Sequence, residues 1–272
     1  MYNAVKIYML CIAVVMLGLF AACKDNSRAE AADKLLAEAR QLTEACNYDG
    51  AMNLLDTLDV KFRDCIEQRK QGTRLRAEAL IAMISDSISA DDARRPQLIA
   101  ALEALQPMFK KVDIAGTDGF YVFKKIFTGK EMNSTGIQAR VDEKGYFFVI
   151  ANNVGHKIGL NALQYGNVMT LRSESMAVEG SEIMSLPQES ITDFSDAIAG
   201  APDGALKIEF VGSKGRATVK LSAAQAEAYK QTWQYAKLKQ AVHLANVRRE
   251  KYERQLAAMQ EKLAALPVET EK

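Results

Sequence analysis

The stretch Leu206–Leu221, LKIEFVGSKGRATVKL, decides the fold class of the region around it. Apolar residues alternate with polar ones on both sides of a glycine-rich centre, at Leu206, Ile208 and Phe210 and again at Ala217, Val219 and Leu221. Alternation of this kind is typical of strands that bury one face, and Gly212-Ser213-Lys214-Gly215 supplies a turn between them. The stretch therefore predicts an antiparallel hairpin, and its glycines lack the spacing of a phosphate loop.

The same pattern recurs upstream of this hairpin. Ile137, Ala139 and Val141 alternate with polar residues, Glu143-Lys144-Gly145 forms a turn, and the apolar run 146–151 suits a central strand covered on both faces. Two further short strands are predicted over 158–163 and 168–172, each next to an Asn/Gly turn. The chain from 114 to 221 is thus predicted to be an antiparallel β domain of about six strands, with a short helix over 190–198.

Helical spacing dominates the chain before this domain, so residues 29–113 are predicted to be helical. A first helix carries one apolar stripe, at Ala32, Leu35, Ala39, Leu42 and Cys46, and a second begins at Tyr48 to form a helical hairpin with it. The mixed charges of 61–76 are typical of a solvated helix. Apolar segments follow over 79–88 and 98–112, and Ser89-Ala90-Asp91-Asp92 is expected to break the helix between them.

The region 222–266 is predicted to be one long helix. Ser222 and Gln225 have the spacing of a capping box, and an apolar seam with alternating steps of three and four runs through Tyr235, Leu238, Val242, Ala245, Arg249, Tyr252, Leu256, Met259, Leu263 and Leu266. We expect this helix to pack on the N-terminal helices as a coiled-coil-like stalk, with Trp233 attaching it to the β domain. The fold class is therefore α+β, with a frayed tail at 267–272.

No recognisable catalytic motif follows from the residues, so no catalytic residue is predicted. His156 lies in an Asn/Gly-rich turn and His243 on the long helix, and neither has a predicted partner. The serines at 173, 175, 181 and 185 lie in a polar stretch interpreted as a solvated loop, outside any Gly-x-Ser-x-Gly motif. An aromatic group is interpreted as core in preference to a sugar-binding platform: Phe120, Tyr121, Phe123, Phe127, Tyr146, Phe147 and Phe148.

Cys46 and Cys65 allow one disulfide that would close a loop of about 20 residues. The preferred interpretation is that each is a small apolar residue on a buried helical face. Neither has a second cysteine or a histidine at metal-ligand spacing, so we predict no metal and no cofactor.

The first 22 residues have the features of a secretory signal peptide: one lysine, Lys6, an apolar run from Ile7 to Phe20, and small residues at the exit. The alternative is an uncleaved anchor, which needs about 20 apolar residues. The sequence Phe20-Ala21-Ala22-Cys23 resembles the lipobox of bacterial lipoproteins, with Phe20 where that family usually has leucine. The resemblance implies that Cys23 is acylated and becomes the mature N-terminus, with 23–28 as its tether.

Lys24 and Asp25 resemble the surface-export signal of Bacteroidota lipoproteins, although Asn26 interrupts the acidic pair. The resemblance implies anchoring in the outer membrane, on the periplasmic face or at the cell surface. The leader contains one lysine and no acid, so 34 cations balance 34 acids in the mature chain. This neutrality argues against nucleic-acid binding. We therefore expect a membrane-anchored envelope lipoprotein with a non-catalytic scaffold or binding role and an envelope protein or glycan as partner. The alternative is an envelope hydrolase acting on glycan or peptide.

The lipobox resemblance predicts that Cys23→Ser moves the protein from the membrane fraction to the soluble fraction and abolishes fatty-acid labelling. The reason is that acyl chains on one cysteine supply the membrane affinity, at about 0.8 kcal/mol per buried methylene. Fractionation of cells expressing each form measures the change. A substituted protein that stays firmly membrane-bound would show that the apolar leader itself is the anchor.

Overall fold

A computed structural model of the chain describes residues 27–113, 118–130 and 133–266, and these residues have an α+β fold. The predicted signal peptide, Cys23 and the tail 267–272 lie outside the described residues. Two compact units share the chain: one combines the residues up to 92 with those from 248 onward, and the other comprises 93–247. Both boundaries fall inside long helices.

The described helices are α1 (residues 27–44), α2 (Tyr48–Lys61), α3 (Ile66–Leu105), α4 (Gln188–Ala199) and α5 (Ala223–Ala265). The predicted N-terminal helical hairpin is confirmed, and the Asn47 side chain caps α2 by accepting a bond from the Gly50 amide at 3.1 Å. The small core of this unit contains Ala32, Leu36, Ala39, Leu55, Leu58, Cys65 and Leu75.

The predicted helix break at Ser89–Asp92 is wrong. Helix α3 continues through that segment and through Pro96. Ser85, Ser87 and Ser89 each donate a side-chain bond to the carbonyl four residues earlier, which keeps these serines within the helix. Asp91 and Asp92 form ion pairs with Arg248 and Arg249 of α5, at 3.0 and 2.8 Å. The segment Ser89–Asp92 is therefore a polar helical surface whose two aspartates pair with arginines of α5.

The β unit contains two antiparallel sheets. The strands are β1 (Phe109–Val112), β2 (Phe120–Phe123), β3 (Gly136–Val141), β4 (Phe147–Val154), β5 (Leu160–Tyr165), β6 (Val168–Met169), β7 (Ser175–Val178), β8 (Ser181–Pro187), β9 (Leu206–Gly212) and β10 (Arg216–Leu221). The six-stranded sheet has the order β1-β2-β3-β4-β8-β7 and the four-stranded sheet the order β10-β9-β5-β6. The predicted hairpins β3–β4 and β9–β10 are confirmed.

The described residues contain ten strands where about six were predicted, and β1 begins before the predicted limit at 114. The segment 98–112 was expected to be helical throughout, whereas α3 ends at Leu105. Phe109 instead pairs with Phe123 across β1 and β2, and its ring stacks on Tyr235 with centroids 4.0 Å apart. Burial of this aromatic pair outweighs the local helical periodicity, which is a weak constraint over a few residues.

The first half of α5 packs on the six-stranded sheet, so the prediction that the whole of 222–266 packs on the N-terminal helices is wrong for this half. Tyr229, Trp233 and Tyr235 are buried, and the Phe147 ring of β4 lies 4.9 Å from the Trp233 ring and 5.7 Å from the Tyr229 ring. The predicted attachment through Trp233 is confirmed. The capping box is also confirmed, since Ser222 and Gln225 exchange bonds at 2.8 and 3.3 Å.

Polar contacts fix α5 at a definite position on the sheet. The Trp233 indole donates to Asp196 of α4 at 2.8 Å, and Gln240 accepts a bond from Gln188, whose own oxygen accepts from the Phe147 amide at 3.0 Å. Lys239 pairs with Glu143 of the β3–β4 turn at 3.2 Å. Hydrogen bonds from Lys111 first, then from Tyr121 and Lys239, outweigh desolvation and lower the pKa of Glu143 to about 2.

Gly145 lets the β3–β4 turn approach the α5 backbone. Its φ is 86°, and a Cβ atom there would lie 2.2 Å from the Gln240 nitrogen. Gly155 is a matched control, because its φ is 92° and no heavy atom of the described residues lies within 4 Å of its Cβ position.

We expect Gly155→Ala to cost about 1–2 kcal/mol from the left-handed backbone. Gly145→Ala should cost about 1–3 kcal/mol more, because the turn and helix must separate. Urea unfolding of the two variants measures the difference. Equal unfolding free energies would contradict the close packing of this turn against α5.

Candidate functional site

Strand β7 is an edge of the six-stranded sheet that carries no charged residue. The three other edges of the two sheets are protected: β1 contains Lys110 and Lys111, β10 contains Arg216 and Lys220, and β6 is two residues long. Charges and short length are the usual devices that prevent a sheet edge from pairing with another chain. The four residues of β7, Ser-Met-Ala-Val, have neither device. Among the described strands, β7 therefore has a neighbour on one side only, and its other side could pair with a further strand.

An apolar patch lies beside this edge on the outer face of the sheet. The register places Met176 opposite Ile183 and both Val178 and Val154 opposite Ser181, so these side chains share one face. Met176 is 69% exposed, Val178 44% and Val154 40%. We define the edge patch as strand β7 together with Ile183 and Val154. It offers main-chain groups for a ladder and apolar side chains for packing.

A buried carboxylate fixes the strand that carries β7. Glu182 of β8 is 5% exposed, and it accepts bonds from the Asn153 side chain at 3.1 Å, the Ile158 amide at 3.0 Å and the Gly159 amide at 2.8 Å. These amides precede β5, so Glu182 ties the six-stranded sheet to the start of a strand in the other. Burial raises the pKa of Glu182, but these hydrogen bonds lower it further and the net shift is downward.

The two ends of β7 are held by main-chain bonds. At the β7–β8 turn the Gly180 carbonyl accepts from the Gly155 amide at 2.9 Å, and before β7 the Ser173 amide donates to Asn161 at 2.9 Å. The Ser173 hydroxyl also donates to the Ser185 carbonyl at 3.2 Å. The edge is thus presented in one fixed conformation, which lowers the ordering cost of strand addition.

Charge flanks the edge on both sides. Glu174 and Glu179 are exposed and immediately precede and follow β7, and no cation lies between them. If two copies paired symmetrically and antiparallel along β7, Glu174 of each would oppose Glu179 of the other. Like charges directly opposite one another destabilise strand pairing. The edge therefore favours a strand with basic flanks over a second copy of itself.

The predicted lipidation site, Cys23, lies outside the described residues. His156 is exposed in the β4–β5 loop, where its carbonyl, not its imidazole, accepts the Asn153 bond at 2.9 Å. His243 is half-buried on α5. The Glu182 oxygens accept bonds from the Asn153 side chain and from the Ile158 and Gly159 amides, so this carboxylate has a structural role.

The thiols of Cys46 and Cys65 are both free. Cys65 is buried as predicted, but it directly precedes α3 and does not lie on a helical face. Cys46 is exposed in the turn that ends α1, where its φ is 58°. Among the described residues no three His, Cys, Asp or Glu side chains gather where a metal ion could bind.

Three of the seven residues in the aromatic group are buried, and the other four, Tyr121, Phe127, Tyr146 and Phe148, are half-buried. Phe120, Phe123 and Phe147 are buried, and the Phe120 ring also lies under the Arg140 guanidinium at 4.1 Å. The core interpretation is confirmed for these three rings.

Sequence reasoning missed the edge patch, because the stretch with serines 173, 175, 181 and 185 was interpreted as a solvated loop. It forms the β7–β8 hairpin instead. The sequence does contain a signal for this hairpin. Glu179-Gly180 is a turn pair that lies between the alternating apolar residues Met176 and Val178 on one side and Met184 and Leu186 on the other. Glu182 at the next core-facing position hides that alternation, since a carboxylate is rarely expected in a core.

Within the part of the chain that the structure describes, no helix has both the length and the apolar character needed to cross a membrane. No protein-family model matches the chain, and neither does any curated protein or solved structure. The edge patch is therefore interpreted from its own geometry.

Glu182 makes a testable contribution to stability. Because its pKa is lower in the folded protein, its bonds stabilise the fold fully above the ordinary value of 4.5 and are lost as the pH falls through the folded value. Glu182→Gln should cost about 1.5–3 kcal/mol at pH 7, since it removes charge-assisted bonds to buried amides. At a pH below that window, the difference in unfolding free energy between the native protein and Glu182→Gln should become smaller.

The control is Glu179→Gln, an exposed neighbour in the same hairpin, which should change the unfolding free energy by less than about 0.5 kcal/mol. Urea unfolding at several pH values measures both variants. If the difference in unfolding free energy between the native protein and Glu182→Gln did not depend on pH, the stabilising role of the Glu182 carboxylate would be contradicted.

Proposed function

We propose that this protein is a lipid-anchored cell-envelope protein with a non-catalytic binding role, whose edge patch receives an extended segment of another envelope protein. The observation that carries the proposal is β7, an uncharged edge strand in a unit whose other sheet edges are protected. Proteins that recognise peptides by strand addition use such an edge: main-chain bonds give affinity, and alternate side chains give specificity.

The anchor is proposed from the sequence. Acylation of Cys23 would hold the protein at the outer membrane, on its periplasmic face or at the cell surface, with the partner within reach. The coiled-coil-like stalk is likewise proposed. It is supported by the half-burial of the seam residues Tyr252, Leu256, Met259 and Leu263 and by the ion pairs of Arg248 and Arg249 with α3.

The chemistry of the edge patch defines its partner. Residues facing Met176 and Val178 should be apolar, because both side chains stand exposed on the same face as Ile183. Residues at the two ends should be Lys or Arg, because they would lie opposite Glu174 and Glu179. The proposed partner segment is an extended strand of about six residues with alternating apolar positions and basic ends.

Met176→Lys should abolish partner recovery when the protein is purified from detergent-solubilised envelopes. A lysine on an edge strand opposes strand addition, and its ammonium would have to be desolvated against the partner. Met169→Lys is the matched control, because Met169 is also an exposed methionine on an edge strand, at 44% exposure, but lies in the other sheet. Both substitutions are exposed and should change stability by less than about 0.5 kcal/mol.

Recovery of a protein by the native form and by Met169→Lys, but not by Met176→Lys, is the expected result. The same set of proteins from all three forms, or no protein with the native form, would contradict the proposal. The remaining possibility is that a second copy of the protein binds the edge patch. Sedimentation of the purified native protein without its acyl chains tests it, because dimers that Met176→Lys dissociates would show that the bound segment belongs to a second copy.

A further inference from the structure

The turn between α2 and α3 carries an exposed apolar surface in the helical unit, which combines the residues up to 92 with those from 248 onward. We define the end loop as residues 60–66, from the last turn of α2 to the first residue of α3. Among the described residues of this unit, two large apolar side chains are exposed, Val60 at 63% and Ile66 at 62%. Both belong to the end loop. Exposed apolar side chains that gather at one place, unlike scattered ones, mark a contact with another molecule or with a membrane.

The end loop also has an excess of positive charge. Lys61 and Arg63 are exposed, and neither side chain forms an ion pair with another described residue. Asp64, the one acid of the loop, pairs with Arg28 of α1 at 2.7 Å. Other charged residues beside the loop already form pairs, namely Arg69 with Asp59 and Lys70 with Glu67. The loop therefore presents two cations next to two exposed apolar side chains.

The end loop lies against the first turn of α1. The Arg28 guanidinium donates to the Lys61 carbonyl at 2.8 Å and to the Asp64 carboxylate at 2.7 Å, and it lies 5.6 Å from the centre of the Phe62 ring. Cys23, where acylation is proposed, precedes the start of α1 by four residues, a length of chain that spans at most about 14 Å. An acylated Cys23 would therefore hold the start of α1, and the loop beside it, close to the membrane surface.

We propose that the end loop binds the surface of a bilayer that contains anionic phospholipids. Val60 and Ile66 would enter the interfacial region, and Lys61 and Arg63 would pair with lipid phosphate groups. Surfaces that combine apolar side chains with cations bind at the interface through apolar burial and electrostatic attraction to anionic lipids. The inference rests on the proposed acyl anchor, because the anchor keeps a loop of modest affinity at the membrane.

The test uses the mature chain with Cys23→Ser, which has no leader and no acyl group and keeps every described residue. It is titrated with vesicles of phosphatidylcholine alone and with vesicles of equal parts phosphatidylcholine and phosphatidylglycerol, and bound protein is measured by co-sedimentation. We expect partitioning into the anionic vesicles to be stronger by about tenfold or more, because each cation near such a surface contributes about fivefold. Added salt should reduce this preference, because it screens exposed charges.

Lys61→Gln with Arg63→Gln should weaken partitioning into the anionic vesicles by about tenfold or more and leave partitioning into phosphatidylcholine unchanged. The bonds that residues 61 and 63 accept are made by their main-chain carbonyls, so the substitutions keep them. The matched control is Lys34→Gln with Arg40→Gln, which removes the same charges from exposed positions about 9 and 18 Å along α1 from Arg28. The control should bind like the parent chain.

Val60→Ser with Ile66→Ser should weaken partitioning into both kinds of vesicle by about tenfold, because apolar burial does not depend on the charge of the lipids. Absence of binding to the anionic vesicles, equal partitioning into both kinds, or an equal loss for the charge variant and its control would overturn the proposal. Dimers that form without vesicles and that Val60→Ser with Ile66→Ser dissociates would also overturn it, because the end loop would then be an interface between copies.

The vesicle titration is separate from the tests of the proposed function. Its chain carries no acyl group and keeps the edge patch intact, so its outcome reports on the end loop alone. Failure of the anchor would appear in the fractionation of Cys23→Ser, and failure of the edge patch in the purification with Met176→Lys.

Discussion

The burial of three aromatic side chains of α5 against the six-stranded sheet is the interaction on which the β unit depends. Tyr229, Trp233 and Tyr235 contact Phe147 or Phe109, and each of these rings is buried. An aromatic side chain buries about 150–250 Å², so this group dominates the packing of the helix on the sheet. Through the stacking of Phe109 on Tyr235, it also holds β1 at one edge of that sheet.

The opposite edge of the sheet is controlled by charge. A buried carboxylate loses hydration, and that loss is tolerable at Glu182 because amides that would otherwise need partners donate to it. The result is a β8 strand with a fixed register and a β7 strand with a free side. In the same hairpin, Glu174 and Glu179 remain exposed, and in the proposed function they select the charge of the strand that pairs with β7.

Local patterns predicted the elements whose burial is regular. The hairpins β3–β4 and β9–β10, the α1–α2 pair and the α5 capping box follow from alternation, turn residues and spacing that need no tertiary knowledge. The seam from Tyr235 to Leu266 was correctly identified as the less exposed side of α5, yet it did not reveal that Trp233 and Tyr229 direct the first half of that helix to the sheet. Periodicity identifies a buried face but not its partner.

The remaining elements depend on long-range contacts. Phe109 becomes a strand residue because Tyr235 covers it, and Ser89–Asp92 stays helical beside Arg248 and Arg249. The β7–β8 hairpin escaped detection because Glu182 occupies a core position that sequence patterns assign to apolar residues. The site that matters most for the proposed function was therefore the least visible in the sequence.

Hydrogen exchange at the amides of 174–179 tests most directly whether β7 accepts a strand. The measurement compares the purified protein alone with the protein in the presence of Lys-Val-Thr-Val-Thr-Lys or the same peptide with glutamate ends. The account predicts that the lysine-ended peptide slows exchange across β7 and the glutamate-ended peptide has a smaller effect, and that Glu174→Lys with Glu179→Lys reverses this preference. Unchanged exchange with the lysine-ended peptide, or a preference that the charge reversal leaves intact, would contradict it.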